Sequence, residues 1–285
     1  MVKQLKAVFI GSGNVATHLS LALQSKGITI TQIYSRTKAN AKELADKLDT
    51  DYTNDIDEIY RYADIYIYAL KDSYFVNFLQ KFNLPEEAIH LHTAGSIHIS
   101  DFEGFTTRYG VFYPLQTFSK NKSVDFSELP ICIETSNDAV EAEVLKLAYL
   151  LTSKVYILNS DQRKQLHLAA VFACNFSNYM YDIASELVGK AGIGFEILQP
   201  LILETANKVT LLNPYDAQTG PAVRFDKKTI NTHLWLLRKF PLFKKTYIEL
   251  SKSIHDRHTR PIQKVHTIKK IKSKILHFIF TKPTK

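Results

Sequence analysis

An α/β half built on a doubly wound parallel sheet, followed by an all-helical half, is the architecture this sequence predicts, and three observations carry the prediction. Short apolar runs alternate with amphipathic stretches over residues 1–158, strand signals stop after Asn159, and a glycine-rich turn joins the first apolar run to the first amphipathic one. A chain of 285 residues suits about two domains and can bury roughly three quarters of its surface. The expected divisions are an α/β domain over 1–158, a helical domain over 159–260 and a basic amphipathic tail over 261–285.

Taken in order, Ala7-Val8-Phe9-Ile10 is a buried strand, and Asn14 to Lys26 places Val15, Leu19 and Leu23 at helical spacing. Gly27 closes that helix where a left-handed residue is wanted. Ile28 to Tyr34 is a second strand and Lys38 to Leu48 a second helix. Further strands are read at Asp64 to Leu70, Ala88 to His92, Gly110 to Tyr113, Ile131 to Glu134 and Val155 to Leu158. Ser160 or Asp161 then caps one long helix to about Lys190, which Gly192-Ile193-Gly194 ends. Helices from Phe195 to Leu211, Lys228 to Leu237 and Leu242 to about Arg257 complete the second half.

Composition excludes several classes. The 45% hydrophobic and 22% charged residues are those of an ordinary globular protein rather than a disordered one. Two cysteines, Cys132 and Cys174, cannot build a disulfide framework or a four-thiolate zinc site, and a reduced cytoplasmic home is the expectation. With no run of 18 apolar residues and no signal-peptide pattern ahead of the first strand, neither membrane spanning nor secretion by that route is expected. The net charge of +8 has a local source, since residues 251–285 carry ten Lys and Arg against Asp256 alone and the remainder sums to −1.

The turn Gly11-Ser12-Gly13-Asn14-Val15-Ala16 fits G-x-G-x-x-G/A. The first glycine permits the tight turn, the second admits a pyrophosphate close to the backbone, and Ala16 allows close helix-to-strand packing. Placed between a strand and a helix inside a βαβ unit, the motif predicts a dinucleotide-binding domain of the Rossmann type, with the diphosphate at the helix N-terminus. The second strand ends in Tyr34-Ser35-Arg36-Thr37-Lys38, with no carboxylate before Glu43. Arg36 offers a planar fork and Ser35 and Thr37 hydroxyls, a set that favours the 2′-phosphate of NADP over the bare ribose of NAD. Ligands in such sheets lie beyond the carboxyl ends of the strands, so Ala69-Leu70-Lys71 and Thr93-Ala94-Gly95 are expected to border the cofactor with Gly11, Ser12, Gly13, Asn14 and Val15. No metal is expected, because nothing near His90, His92 and His98 completes a tetrahedral ligand set. Tyr66 and Tyr68 are read as packing side chains on one strand face.

In the helical half, His167, Asn175 and Asn178 interrupt an apolar stretch. At regular helical spacing His167, Val171, Cys174 and Asn178 follow one stripe with Asn175 beside it, on a face expected to be buried and therefore to need polar partners. A substrate cleft between the domains is one such environment, and bonds to the first domain's backbone are another.

These residues carry a family resemblance. Up to about residue 240 the chain resembles the bacterial proteins that join a Rossmann-like domain to a helical domain of unknown function 2520, distant relatives of pyrroline-5-carboxylate reductase and of NADP-dependent reductases of the coenzyme F420 type. The nucleotide motif, Ser35-Arg36-Thr37 and Thr93-Ala94-Gly95-Ser96 match. Pro114-Leu115-Gln116-Thr117-Phe118, His167 to Asn175, and Gly220-Pro221 with Arg224 and Asp226 are the specific matches. The family has histidine where this chain has Tyr113, and glycine where it has Phe225. The resemblance implies a helical half like the C-terminal domain of 6-phosphogluconate dehydrogenase and a homodimer.

Motif and resemblance together set the expectation of an NADP(H)-dependent oxidoreductase that moves a hydride to or from a small carbonyl or imine. Such chemistry needs a proton donor within hydrogen-bond reach, and imidazole is the side chain whose ordinary pKa lies nearest neutrality, so His167 is the candidate acid. Asn175 is the candidate for orienting the substrate, Tyr113, Gln116 and Thr117 for lining the cleft, and Arg224 for a substrate carboxylate. The alternative expectation is a non-catalytic NADP-binding or redox-sensing scaffold. In the tail, Ile268, Ile271, Ile275 and Phe278 recur at helical spacing among lysines. That segment suits docking on its own domain first, and contact with an anionic membrane surface or non-specific nucleic-acid binding less well; no specific nucleic-acid partner is expected.

Overall fold

Side chains Ala7, Val8, Phe9 and Ile10 have no access to solvent, as a central strand covered on both faces requires, and with Lys6 they form β1 (Lys6–Ile10). The structure is a computed structural model and describes residues 4–259, so the tail with Ile268, Ile271, Ile275 and Phe278 lies outside the described residues. After the glycine turn come α1 (Asn14–Ser25) and β2 (Thr29–Tyr34), with Gly27 between them at φ +88°. They are followed by α2 (Lys38–Leu48), β3 (Asp51–Thr53), β4 (Ile65–Tyr68), α3 (Asp72–Leu79), β5 (Ile89–His92) and β6 (Tyr109–Pro114). Then come β7 (Ile131–Thr135), α4 (Asp138–Leu151) and β8 (Val155–Ile157).

The strand order is β3-β2-β1-β4-β5-β6-β7-β8, which contains the Rossmann order with its switch point between β1 and β4. One departure from the expected parallel sheet occurs. Strand β7 runs antiparallel to β6, pairing Val111 with Glu134 and Tyr113 with Cys132, because residues 115–130 return the chain without a crossover α-helix. On one face Leu19, Leu23, Leu44, Val144 and Leu147 from α1, α2 and α4 pack with Phe9, Ile33 and Ile67. Phe75, Phe78 and Leu79 of α3 close the other face over Tyr66 and Tyr68, which pack as the strand alternation requires.

Beyond Ile157 the described chain is helical, with α5 (Ser160–Ala170), a π-helical turn over Val171–Phe176 and α6 (Ser177–Lys190) in succession. The cap of α5 is Asn159, one residue ahead of the expected Ser160. Its side chain accepts from Gln162 N–H while the Gln162 side chain accepts from Asn159 N–H, a reciprocal box. The π turn also corrects the expected stripe. Bonds from i to i+5 rotate the phase of everything after Ala170, and Cys174, Asn175 and Asn178 are exposed rather than buried. A 3₁₀ turn (Phe195–Leu198), α7 (Gln199–Leu211), α8 (Lys227–Leu236) and α9 (Pro241–Thr259) follow.

The described residues form two compact units, 4–174 and 175–259. Secondary structure changes character at Asn159, but α5 belongs to the first unit because Arg163 and Leu166 attach it to the sheet. No described helix is long and apolar enough to cross a membrane.

Candidate functional site

The parallel strands β1, β2, β4, β5 and β6 all deliver their carboxyl ends to one edge of the sheet. Gly11 leaves β1 at φ +120°, and a Cβ there would stand 2.3 Å from the carbonyl oxygen of Ala69 at the end of β4. Gly13, by contrast, faces open space and is the N-cap of α1, whose first turn has neither a capping side chain nor an acidic residue. The amides of that turn are thus left for an anion, which is what a diphosphate requires. Asn14 and Val15 begin the helix, and Ser12 is buried beneath the turn.

At the end of β2, Arg36 is exposed and its guanidinium lies over the Tyr74 ring at 4.4 Å. Tyr74 is hydrogen-bonded to Tyr34, whose phenol is pushed up to about 12 by burial and this neighbour. Thr37 is the N-cap of α2, again without a side-chain cap bond or an acid in the first turn. Ser35, Arg36 and Thr37 therefore combine a propped guanidinium, two hydroxyls and a helix N-terminus, a fit for a phosphate dianion.

Between these elements, Lys71 is the N-cap of α3, preceded by Ala69 and Leu70, and Ser96 donates to Asp72 in the first turn of that helix. Thr93 N–H donates to Tyr68 O at 3.0 Å, and Ala94 N–H donates to His92 Nδ1 at 3.2 Å. The strand histidines thus have structural partners. His90 bonds Tyr68 through Nδ1 at 2.8 Å and Pro85 O through Nε2 at 2.9 Å.

Sequence reasoning listed His167, Tyr113 and Gly95 separately, and the fold brings them together. Strand β8 runs against β6, so α5 starts at the far edge and travels back along β6. Ser160 meets Glu134 opposite Val111, and His167, about two turns on, reaches Tyr113. His167 Nδ1 and Tyr113 Oη are 3.1 Å apart with the rings edge to face. Gly95 lies directly under the imidazole, for a Cβ at this position would stand 2.6 Å from Cγ and Nδ1 of His167. Burial pushes the Tyr113 phenol up to about 12 and its neighbour Cys132 up to about 11, so neither ionises near neutrality.

The other candidates are placed apart from this pair or in the second unit. Gln116 and Thr117 line a hollow of about 300 Å³ with Ser119, Lys122 and Asp125. Their loop is tied to α1, since Asn14 Nδ2–H donates to Phe118 O at 2.8 Å and His18 Nε2 lies 2.9 Å from Ser119 O. Asn175 and Arg224 belong to the second unit, where both are exposed. There Phe225, in the position of the family's glycine, keeps a left-handed φ of +52° with its ring stacked on His255 at 4.3 Å. The residues that sequence reasoning missed are Arg163 and Glu134, an almost solvent-free ion pair beneath α5. A carboxylate in an otherwise apolar strand, Ile131-Cys132-Ile133-Glu134, was the one available signal.

A doubly wound sheet with an uncapped glycine turn at its switch point is the architecture of a dinucleotide-binding protein, and Gly95, Tyr113 and His167 lie at the same strand ends. Residues 129–254 match the family described as domain of unknown function 2520, and residues 6–93 match the family described as NADP oxidoreductase, coenzyme F420-dependent. A provisionally assigned NADP oxidoreductase of Bacteroides fragilis, BF3122, is 49% identical with a TM-score of 0.86, covering 89% of this chain and 99% of its own. The 1-pyrroline-5-carboxylate reductase of Streptococcus pyogenes shares the fold at 16% identity, TM-score 0.58, over 90% of this chain and 98% of its own. So does the Aspergillus terreus reductive aminase at 14% identity, TM-score 0.67, over 90% and 94%. Among curated proteins, none matches the chain. The chain belongs to the family of Rossmann-like, NADP-oxidoreductase-type proteins that carry the domain of unknown function 2520.

Proposed function

We propose that this protein is an NADP(H)-dependent oxidoreductase acting on a small carbonyl or imine, with His167 exchanging the proton that accompanies hydride transfer. The observation that carries the reading is the contact of His167 Nδ1 with Tyr113 Oη at 3.1 Å, held over Gly95 at the same sheet edge as the glycine turn. The Aspergillus reductase, whose structure holds an NADPH-type cofactor with cyclohexanone and allyl amine, gives the reading its substrate class by analogy.

The bound cofactor supplies or accepts the hydride; the chain binds it and manages the proton. Gly11, Gly13 and the amides of α1 would hold the diphosphate, and Ser35, Arg36 and Thr37 would hold the 2′-phosphate. In the direction of reduction, the hydride adds to the carbon of the C=O or C=N bond. The π pair moves to the heteroatom, which takes the proton from His167 Nε2. Nδ1 is engaged by the Tyr113 hydroxyl, which can accept from it or donate to it, so Nε2 is the nitrogen left to exchange a proton with the substrate. Tyr113, with its phenol pushed up to about 12 by burial, keeps its proton and serves as a neutral hydrogen-bond partner in the place of the family's histidine.

Titration of the purified chain with NADPH and NADH, followed by nicotinamide fluorescence, tests the cofactor assignment. NADPH is expected to bind more tightly than NADH, and Arg36→Ala to abolish the preference. Across a carbonyl and imine panel, His167→Ala is expected to abolish turnover and leave NADPH affinity intact. Saturable NADPH binding without oxidation by any member of the panel would favour the non-catalytic scaffold instead. We further propose a homodimer, supported by the exposed Leu201, Leu203 and Leu211 of α7 and Trp235 of α8.

A further inference from the structure

The geometry points to Arg163 and Glu134 as positioning residues that set the proton-exchanging nitrogen of His167, an inference that rests on the function proposed above. The Arg163 side chain is 1% exposed and that of Glu134 is 15% exposed. One guanidinium bonds the Glu134 carboxylate on β7, the carbonyl oxygen of Ile97, and Ser160 Oγ at 3.1 Å. Glu134 in turn accepts from Ser160 N–H and Ser160 O–H, both at 2.8 Å, and Ser160 Oγ accepts from Ile99 N–H at 3.0 Å. The cluster thereby clamps the first turn of α5 to two things at once: β7, which is paired to the strand of Tyr113, and the segment two residues beyond Gly95.

His167 is at i+4 from Arg163, on the same helix face and one turn further along. Clamping the first turn therefore fixes the height of the imidazole relative to both Gly95 and Tyr113. A buried ion pair contributes little stability over well-packed apolar side chains, because both ions must be desolvated. What this pair gives is register. With α5 seated, Nδ1 is committed to the Tyr113 hydroxyl in one fixed geometry and Nε2 is the nitrogen left to exchange a proton; with α5 released, Nδ1 loses that partner and the tautomer ratio is no longer held.

The test is long-range proton–nitrogen NMR of the full chain labelled with ¹⁵N-histidine, at a pH where the ring is neutral, with His167 assigned by its loss in His167→Gln. The wild type is expected to show one neutral tautomer of His167 in large excess. Arg163→Met is expected to raise the share of the other tautomer several-fold, and Arg163→Lys, which keeps a cation beside Glu134, to restore part of the difference. Arg108→Met, which removes a different ion pair of the same unit, with Glu143, is expected to change nothing. NADPH affinity is expected to stay within twofold in all three. An unaltered His167 spectrum in Arg163→Met, or in Arg163→Lys where the methionine variant does not fold, overturns the proposal, as does an equal change in Arg108→Met. The readout does not depend on turnover. If His167→Gln keeps activity, the catalytic reading falls while the tautomer ratio still reports on the clamp.

Discussion

Under the proposed function, a methyl group at position 95 is the smallest change expected to separate cofactor binding from turnover. Because the His167 ring lies 2.6 Å from where that carbon would be and the His167 Cβ lies 2.9 Å away, Gly95→Ala meets the root of the side chain and must displace the whole imidazole from its contact with Tyr113. Overpacking of this kind costs about 1–3 kcal/mol. Urea unfolding is expected to show that loss, and NADPH titration to show wild-type affinity, while turnover falls by at least tenfold. Unchanged turnover would mean that the imidazole does not need its seat over Gly95. Gly11 is different in kind, since its φ of +120° and the 2.3 Å approach to Ala69 O forbid a side chain for backbone reasons, and these were legible from the motif. The need for glycine at 95 was not, because it arises from a ring 72 positions away in the chain.

Strand β5 stores a pH dependence. Burial pushes His90 down to about 4, and burial together with the Arg163 guanidinium pushes His92 down to about 3. In the unfolded chain both rings take up a proton near pH 6.5, so below that value the unfolded state holds more protons than the folded one. Their contribution to stability is complete above about pH 6.5 and falls as pH drops toward the folded values, by up to roughly 1.4 kcal/mol per pH unit for each ring. His92→Asn keeps an acceptor for Ala94 N–H but cannot titrate. Between pH 7 and 5 its loss of stability in urea is expected to be smaller than that of the wild type by about 2 kcal/mol. An equal loss in both would show that His92 is protonated normally in the folded chain. The alternation of β5 revealed that His90 and His92 share a face, but not that Tyr68 and Pro85 would satisfy both nitrogens of His90 while Ala94 N–H engages only Nδ1 of His92 and leaves its buried Nε2 without a partner among the described residues. Similarly, the long helix after Asn159 was legible from its periodicity, whereas the π turn at Val171–Phe176 was not, since a single inserted residue leaves a helical pattern that still looks continuous.

Across the second unit, the described helices α6, α7, α8 and α9 contain no fully buried side chain, while Leu201, Leu203, Leu211, Trp235 and Leu242 are exposed. Apolar surface on this scale calls for a cover, and a second copy is the proposed one. Sedimentation velocity at micromolar concentration is expected to give twice the chain mass, and Leu201→Glu with Leu203→Glu to reduce it to one. A monomeric wild type would exclude the homodimer.

Periodicity and the glycine turn left β3, α3 and α4 unread but were enough to establish every other strand, the helices α1 and α2, the helical second half, the dinucleotide motif and the basic residues after β2. Each of these is encoded within about 20 neighbouring residues, over which steric preference and hydrophobic spacing act directly. The antiparallel return of β7, the seat of His167 on Gly95 and Tyr113, and the clamp of Arg163 on Glu134 came from the folded chain. The seat and the clamp join residues 29 to 72 positions apart through burial and hydrogen bonding, and those contacts exist only once the sheet has placed β5, β6, β7 and α5 side by side.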